Sequence, residues 1–255
     1  MVDEYIFAHT KQEKIKVRRK IFEDVFDDRT EKNLQAIERR GNIDYVIGPI
    51  AKGKEANLFI GKKGKTFVAV KIYRIETTNF HNRRDYIDDD EMNKIANNPI
   101  KRIYAWCERE YFNLRCCNEH KVLVPKAIDQ QNNVLVMQLI GANGKPHPVL
   151  KFDETVKKNI KEIYKQYVEN MYKLLYKAKM VHADLSEYNM IFYKDKLYFI
   201  DIGQGVGVKY PKAKTFLERD LKTIIKFFNN NGLKVNLEEL KEDIKKGKVA
   251  WEYAN

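Results

Sequence analysis

Cysteine is scarce in this chain. Its 255 residues include three, Cys107, Cys116 and Cys117. An odd count with no C-x-x-C pair argues against a disulfide framework and against a zinc site. Long apolar runs are missing too. No segment approaches 18 consecutive apolar residues, and the N-terminus has no apolar stretch of the signal-peptide kind. A soluble intracellular protein is therefore expected, cytoplasmic and without a membrane partner. The phosphate-binding pattern G-x-G-x-x-G is absent as well.

Positive charge is plentiful. Lys and Arg number 48 against 36 Asp and Glu, a net charge of +12. Such a surplus favours a polyanionic partner such as RNA, and it says nothing about fold. It also serves solubility. Apolar residues at 44% are enough for a real core, so the length fits one two-lobed domain or two small ones.

The stretch 180–203, MVHADLSEYNMIFYKDKLYFIDIG, organises the rest. Two apolar runs, Met190–Tyr193 and Leu197–Ile200, flank Lys194-Asp195-Lys196 and read as a hairpin. A polar loop, His182 to Asn189, precedes it, and Asp201 follows it. Asp184 and Asn189 have the D-x-x-x-x-N spacing of the kinase catalytic loop, and Asp201 follows its strand as a metal-binding Asp would. Mg²⁺ takes hard oxygen ligands, usually a carboxylate or two plus substrate phosphates. Asp201 and Asn189 are the candidate ligands, and Asp184 the candidate catalytic base.

Earlier in the chain, residues 11–40 carry apolar residues at spacings of three and four. This predicts two short helices broken near 27–30, with Asp28 or Thr30 capping the second and Gly41 ending it. Tyr45–Ile50, Ala56–Ile60 and Thr66–Ile72 read as strands, with 61–64 as a hairpin turn. The loop between the first two, around Gly53, Lys54, Glu55 and Ala56, lies where a phosphate-covering loop would. Val68-Ala69-Val70-Lys71 matches the strand that carries a kinase's nucleotide lysine. Residues 81–98 are polar and read as a mobile loop. A helix follows over 100–117, where Glu108 and Glu110 compete as the partner of Lys71.

Residues 121–128 and 133–140 read as strands, and Gly141 with Asn143-Gly144 as a linker. The run 154–180 has the period of a buried amphipathic helix. Lys209–Lys214 reads as extended, and Phe216–Phe228 and Leu237–Ile244 as helices.

These motifs resemble one family. Lys71-Ile72-Tyr73-Arg74, then Asn79-Phe80, Arg83, Tyr86-Ile87 and Asp90, follow the signature of the RIO family of atypical serine/threonine protein kinases, type-one subfamily. Gly53-Lys54-Glu55-Ala56-Asn57, His182 to Asn189 and Ile200 to Gln204 match its phosphate, catalytic and metal loops. Ala51-Lys52 stand where that family usually has Ser-Thr. Its E-x-x-N-L pattern selects Glu110 over Glu108.

The resemblance implies an α+β, two-lobed, protein-kinase-like fold. A helical extension (1–42) would precede an N-lobe (43–141) with an antiparallel sheet and one αC-type helix. A mostly helical C-lobe (142–255) would follow. It implies ATP as co-substrate, Mg²⁺ or Mn²⁺ as the ion, and Met137, Gln138 and Leu139 at the adenine. It also implies ATPase behaviour through a phosphorylated Asp201, and a role with the small-ribosomal-subunit precursor or its rRNA rather than DNA. Two alternatives stay open: an ATP-gated ribosome or RNA-binding assembly factor with little kinase activity, and a small-molecule phosphotransferase of the aminoglycoside kind, which shares H-x-D-x-x-x-x-N.

Overall fold

The computed structural model describes residues 27–75 and 98–249. The expected helix before residue 27 and the mobile loop up to residue 97 lie outside them. The chain divides into two compact units, Met1–Tyr111 with Ala127–Pro146, and Phe112–Lys126 with His147–Asn255. Together they make the α+β architecture that the sequence predicts.

The first unit is built on a five-stranded antiparallel sheet. Its strands are β1 (Tyr45–Lys52), β2 (Ala56–Lys63), β3 (Thr66–Tyr73), β4 (Ala127–Gln131) and β5 (Val134–Gln138), in the order β1-β2-β3-β5-β4. Helix α1 (Asp28–Arg39) covers one face. Leu34 and Ile37 of α1 pack on Val46, Phe59, Val68, Val70, Ile72, Val134 and Val136. The alternation of a strand sends Ala69, Lys71 and Tyr73 to the other face. The register sets Leu135 opposite Lys71 and Met137 opposite Ala69. Helix α2 (Pro99–Glu119) supplies Glu110 to this unit.

Both edges of this sheet are irregular. Strand β1 contains Pro49 and two register shifts, and β4 contains one. Arg40 lies along β4: its guanidinium donates to the Asp129 carboxylate at 2.8 Å, the Gln131 side chain at 3.0 Å and the Gln130 carbonyl at 3.3 Å.

Several local readings need correction. Asp27, rather than Asp28 or Thr30, caps α1, accepting the Thr30 N–H at 2.9 Å. The turn between β2 and β3 is Gly64-Lys65, with Gly64 at φ +56°. Gly61 instead lies inside β2, because the core leaves no room for a side chain there. A Cβ at Gly61 would stand 2.6 Å from Ile43 and 2.9 Å from Val70. Gly61→Val is therefore expected to destabilise the fold by about 1–3 kcal/mol, the usual cost of overpacking; a denaturant midpoint unchanged from wild type would show that the sheet can open to admit it.

The strand expected at 121–128 begins only at Ala127, since β5 offers pairing from Ala127 onward. Residues 141–146 are more than a linker. Gly141–Ala142 pairs with Lys145–Pro146 around Asn143 and Gly144, both at positive φ, the conformation of a type I′ turn.

The second unit centres on helix α3 (Val156–Tyr172), which ends in a π turn, Lys173–Lys177. Tyr164 and Tyr167 meet Phe228 of helix α4 (Ala213–Asn230) with ring centroids at 5.0 and 5.7 Å. Helix α5 (Leu237–Lys246) adds Asp243, which accepts the Tyr164 hydroxyl at 2.8 Å. Buried Asn170 accepts the Leu123 N–H and donates to the Leu197 carbonyl, tying three segments together. The hairpin is β6 (Met190–Tyr193) with β7 (Lys196–Phe199). Its turn is only Lys194-Asp195, both at positive φ, so Lys196 joins the strand. Residues 209–212 form turns leading into α4 instead of an extended segment.

Candidate functional site

The first unit holds one set of candidate residues. Lys71 Nζ lies 2.8 Å from Glu110 Oε2 and 3.0 Å from Oε1. The Glu110 side chain is 1% exposed and that of Lys71 14%, so this is a buried ion pair. Glu108 is exposed on the same helix. The two candidates separate because a helix turns 100° per residue, which puts positions 108 and 110 on different faces.

The loop between β1 and β2 closes tightly. The Gly53 N–H donates to the Ala56 carbonyl at 3.1 Å. A Cβ on Gly53 would stand 2.6 Å from that oxygen, so glycine is required by close approach. Lys54 and Glu55 are exposed on this turn. Met137 is half-buried, Gln138 is exposed at the end of β5, and Leu139 follows half-buried.

The second unit holds the other set. Asn189 Nδ2 donates to the Asp184 main-chain carbonyl at 2.7 Å and is 3.4 Å from the Asp184 carboxylate. That fixes which end of the amide is which and leaves Oδ1 as its acceptor. The Ile200 N–H donates to the Asn189 carbonyl at 3.0 Å, so β6 and β7 bring Asn189 beside Asp201. Asp201 itself is left-handed, φ 59° and ψ 54°, a conformation Asp tolerates better than most residues.

The Asp184 carboxyl is held above the ordinary carboxylate range, first by loss of water around it and then by the Asp201 charge. Arg219 and Asn189 pull the other way. A carboxylate raised in this manner is a better proton acceptor near neutral pH.

A carboxylate (Asp201) and an amide oxygen (Asn189) on adjoining strand ends are hard donors suited to Mg²⁺. Among the described residues no group of three or more His, Cys, Asp or Glu could hold a metal ion. Such an ion would need further oxygens, which substrate phosphates supply.

Several supporting residues escaped the sequence reading. His182 Nε2 lies 3.0 Å from the Ile200 carbonyl. A carbonyl only accepts, so the proton sits on Nε2. Burial lowers the His182 pKa to about 4, which keeps the ring neutral. It pins the residue before Asp201. Asn113 Nδ2 donates to the carbonyls of Ile202 and Gly205 at 2.9 and 3.2 Å, holding the loop after Asp201.

On α4, Arg219 donates to the Ala183 carbonyl. Its neighbour Asp220 accepts main-chain N–H groups of Leu185 and Ala183, while burial pushes its carboxyl up to about 7. Ala183 is left-handed at φ 67°, a strained conformation held by these contacts. Asn113 and His182 belong to motifs that could have flagged them. Arg219 and Asp220 carry no local signal.

Comparison with known proteins follows the same lines. A family model described as the RIO domain matches residues 56–240. The chain is 38% identical over 225 residues to the RIO-type serine/threonine-protein kinase Rio1 of Haloferax volcanii, covering 88% of this chain and 77% of that one. It is 39% identical over 190 residues to the Rio1 kinase of Thermoplasma acidophilum, covering 74% and 99%. Among solved structures, the Rio2 kinase-ADP/Mg²⁺-phosphoaspartate complex from Chaetomium thermophilum aligns with a TM-score of 0.62 at 19% identity, over 86% of this chain and 66% of that one. That likeness establishes a kinase-like fold. A family model spanning most of the chain, and relatives this similar over most of their own length, place the chain in the RIO family of serine/threonine protein kinases.

Proposed function

We propose that this kinase transfers the γ-phosphoryl group of ATP, with Mg²⁺, and acts in the cytoplasm on the maturing small ribosomal subunit. The observation that carries the catalytic part is the buried Lys71–Glu110 pair, a fixed cation on the nucleotide strand. Lys71 contacts the phosphates, the Gly53–Ala56 loop covers them with main-chain N–H groups, and Met137, Gln138 and Leu139 line the adenine. Asn189 and Asp201 would hold Mg²⁺, which neutralises charge on the phosphate oxygens. Asp184 accepts the proton of the attacking hydroxyl.

The family also supports ATP hydrolysis by way of Asp201. Its carboxylate oxygen bonds to the γ-phosphorus as the bond to ADP breaks, and water then cleaves the acyl phosphate to restore the carboxylate. The phosphoaspartate in the Chaetomium Rio2 complex favours this route.

The decisive experiment compares wild type with Asp184→Asn, measuring ATP turnover and association with small-subunit precursor particles. Loss of turnover with retained or prolonged association is expected. Undiminished turnover would sink the catalytic reading.

The net charge of +12 supports an RNA partner. Binding to structured rRNA is expected to weaken steeply between about 50 and 200 mM salt, because phosphate contacts release counterions. A flat salt dependence in a filter-binding titration would reduce the charge to a solubility feature.

A further inference from the structure

Tyr73 ends β3 two residues after Lys71, so both side chains leave the same face of the sheet. Its hydroxyl donates to Glu110 Oε2. That is the oxygen Lys71 Nζ reaches at 2.8 Å. The same amine lies 5.3 Å from the centre of the Tyr73 ring. A carboxylate this buried needs its donors, and Tyr73 adds a second one on the Oε2 that Lys71 also reaches.

The main chain of Tyr73 is fixed as firmly as its ring. Its N–H donates to the Asn133 carbonyl at 2.9 Å, and its carbonyl accepts Asn133 Nδ2 at 3.0 Å. Asn133 is itself fully buried and bonded to Thr30 and Asn33 of α1, each at 2.8 Å. On the other side Ala56 pairs with Tyr73, and the next N–H, that of Arg74, donates to Glu55 at 2.9 Å. One residue thus joins α1, the Gly53–Ala56 loop and the ion pair.

We propose that Tyr73 is a positioning residue for phosphoryl transfer. Its hydroxyl sets the plane of the Glu110 carboxylate, and that plane aims the Lys71 ammonium. An ion pair alone does not fix this, because a carboxylate can turn about its terminal bond while keeping a point charge in contact. The proposal rests on the reading that Lys71 binds ATP.

The test is a double-mutant cycle with Tyr73→Phe and Glu110→Ala on the full chain. Both kcat/KM for ATP and the dissociation constant of Mg-ATP are measured. Tyr73→Phe alone is expected to lower kcat/KM about tenfold. Because Tyr73 acts through Glu110, the same change in the Glu110→Ala background is expected to add less than twofold; coupling of this kind marks groups that act as a unit. Where turnover of Glu110→Ala is too slow to follow, the cycle is read on the dissociation constant. Equal losses in both backgrounds would make Tyr73 a packing residue only and overturn the proposal. So would a Tyr73→Phe protein within twofold of wild type. A wild-type chain that does not bind Mg-ATP would instead overturn the ATP reading itself, before Tyr73 is reached.

Discussion

Asp201→Ala is expected to lose Mg²⁺-dependent nucleotide affinity and turnover together, whereas Asp184→Ala keeps the affinity and loses turnover alone. The two aspartates stand close enough to raise the Asp184 pKa, yet their assigned roles differ. A metal ligand must be a hard oxygen in a fixed place, and the left-handed backbone of Asp201 with the His182 contact before it provides that fixity. A proton acceptor is needed only as the reaction proceeds, so removing it lowers the rate by about 10²–10⁴ without weakening the ground-state complex. Calorimetry with Mg-ATP and single-turnover kinetics on both variants give the comparison. A phospho-aspartate, if it forms, is labile to hydroxylamine and missing from Asp201→Ala. Equal loss of affinity in the two variants would refute the division of roles, as would a hydroxylamine-labile phosphoprotein made by Asp201→Ala.

Lys71→Ala is expected to fail twice. The phosphates lose their fixed cation, which lowers kcat/KM by about 10²–10³, the usual worth of one such electrostatic contact. The fold also loses about 3–5 kcal/mol, because Glu110 is left charged and buried without its partner. Tyr73 still donates to that carboxylate, which places the loss toward the lower end. The two effects separate in the double variant Lys71→Met with Glu110→Gln. It removes both charges, so most of the denaturant midpoint returns while turnover does not. Recovery of turnover in that variant would mean that the pair acts only on stability.

Much of this was legible in the sequence, for a physical reason. Asp184, Asn189 and Asp201 lie within a short span, and the hairpin between the last two is local. Lys71 lies near the end of a strand whose alternation is written in the valines around it. Glu110 is one step harder, since helix geometry separates it from Glu108 only once the direction of the sheet is known. Tyr73 reaches Glu110 across 37 residues, Asn133 reaches Thr30 across 103, and Arg219 reaches Ala183 across 36. No window of sequence contains both ends of such contacts. Gly61 misled because glycine serves turns and tight packing alike, and only the side chains of Ile43 and Val70 tell which.

The first unit's sheet has two borders at which a foreign strand could attach. An unpaired strand is a template for any extended chain that meets it, including another copy of the same protein during synthesis. At one border Pro49 has no N–H to give, and two slips in register break the even spacing that a newcomer would have to match. At the other, the Arg40 fork already occupies the Gln130 carbonyl and brings a cation to the rim. Removing these two guards, with Pro49→Val and Arg40→Leu together, should leave the isolated fold nearly as stable and yet make it clump on refolding.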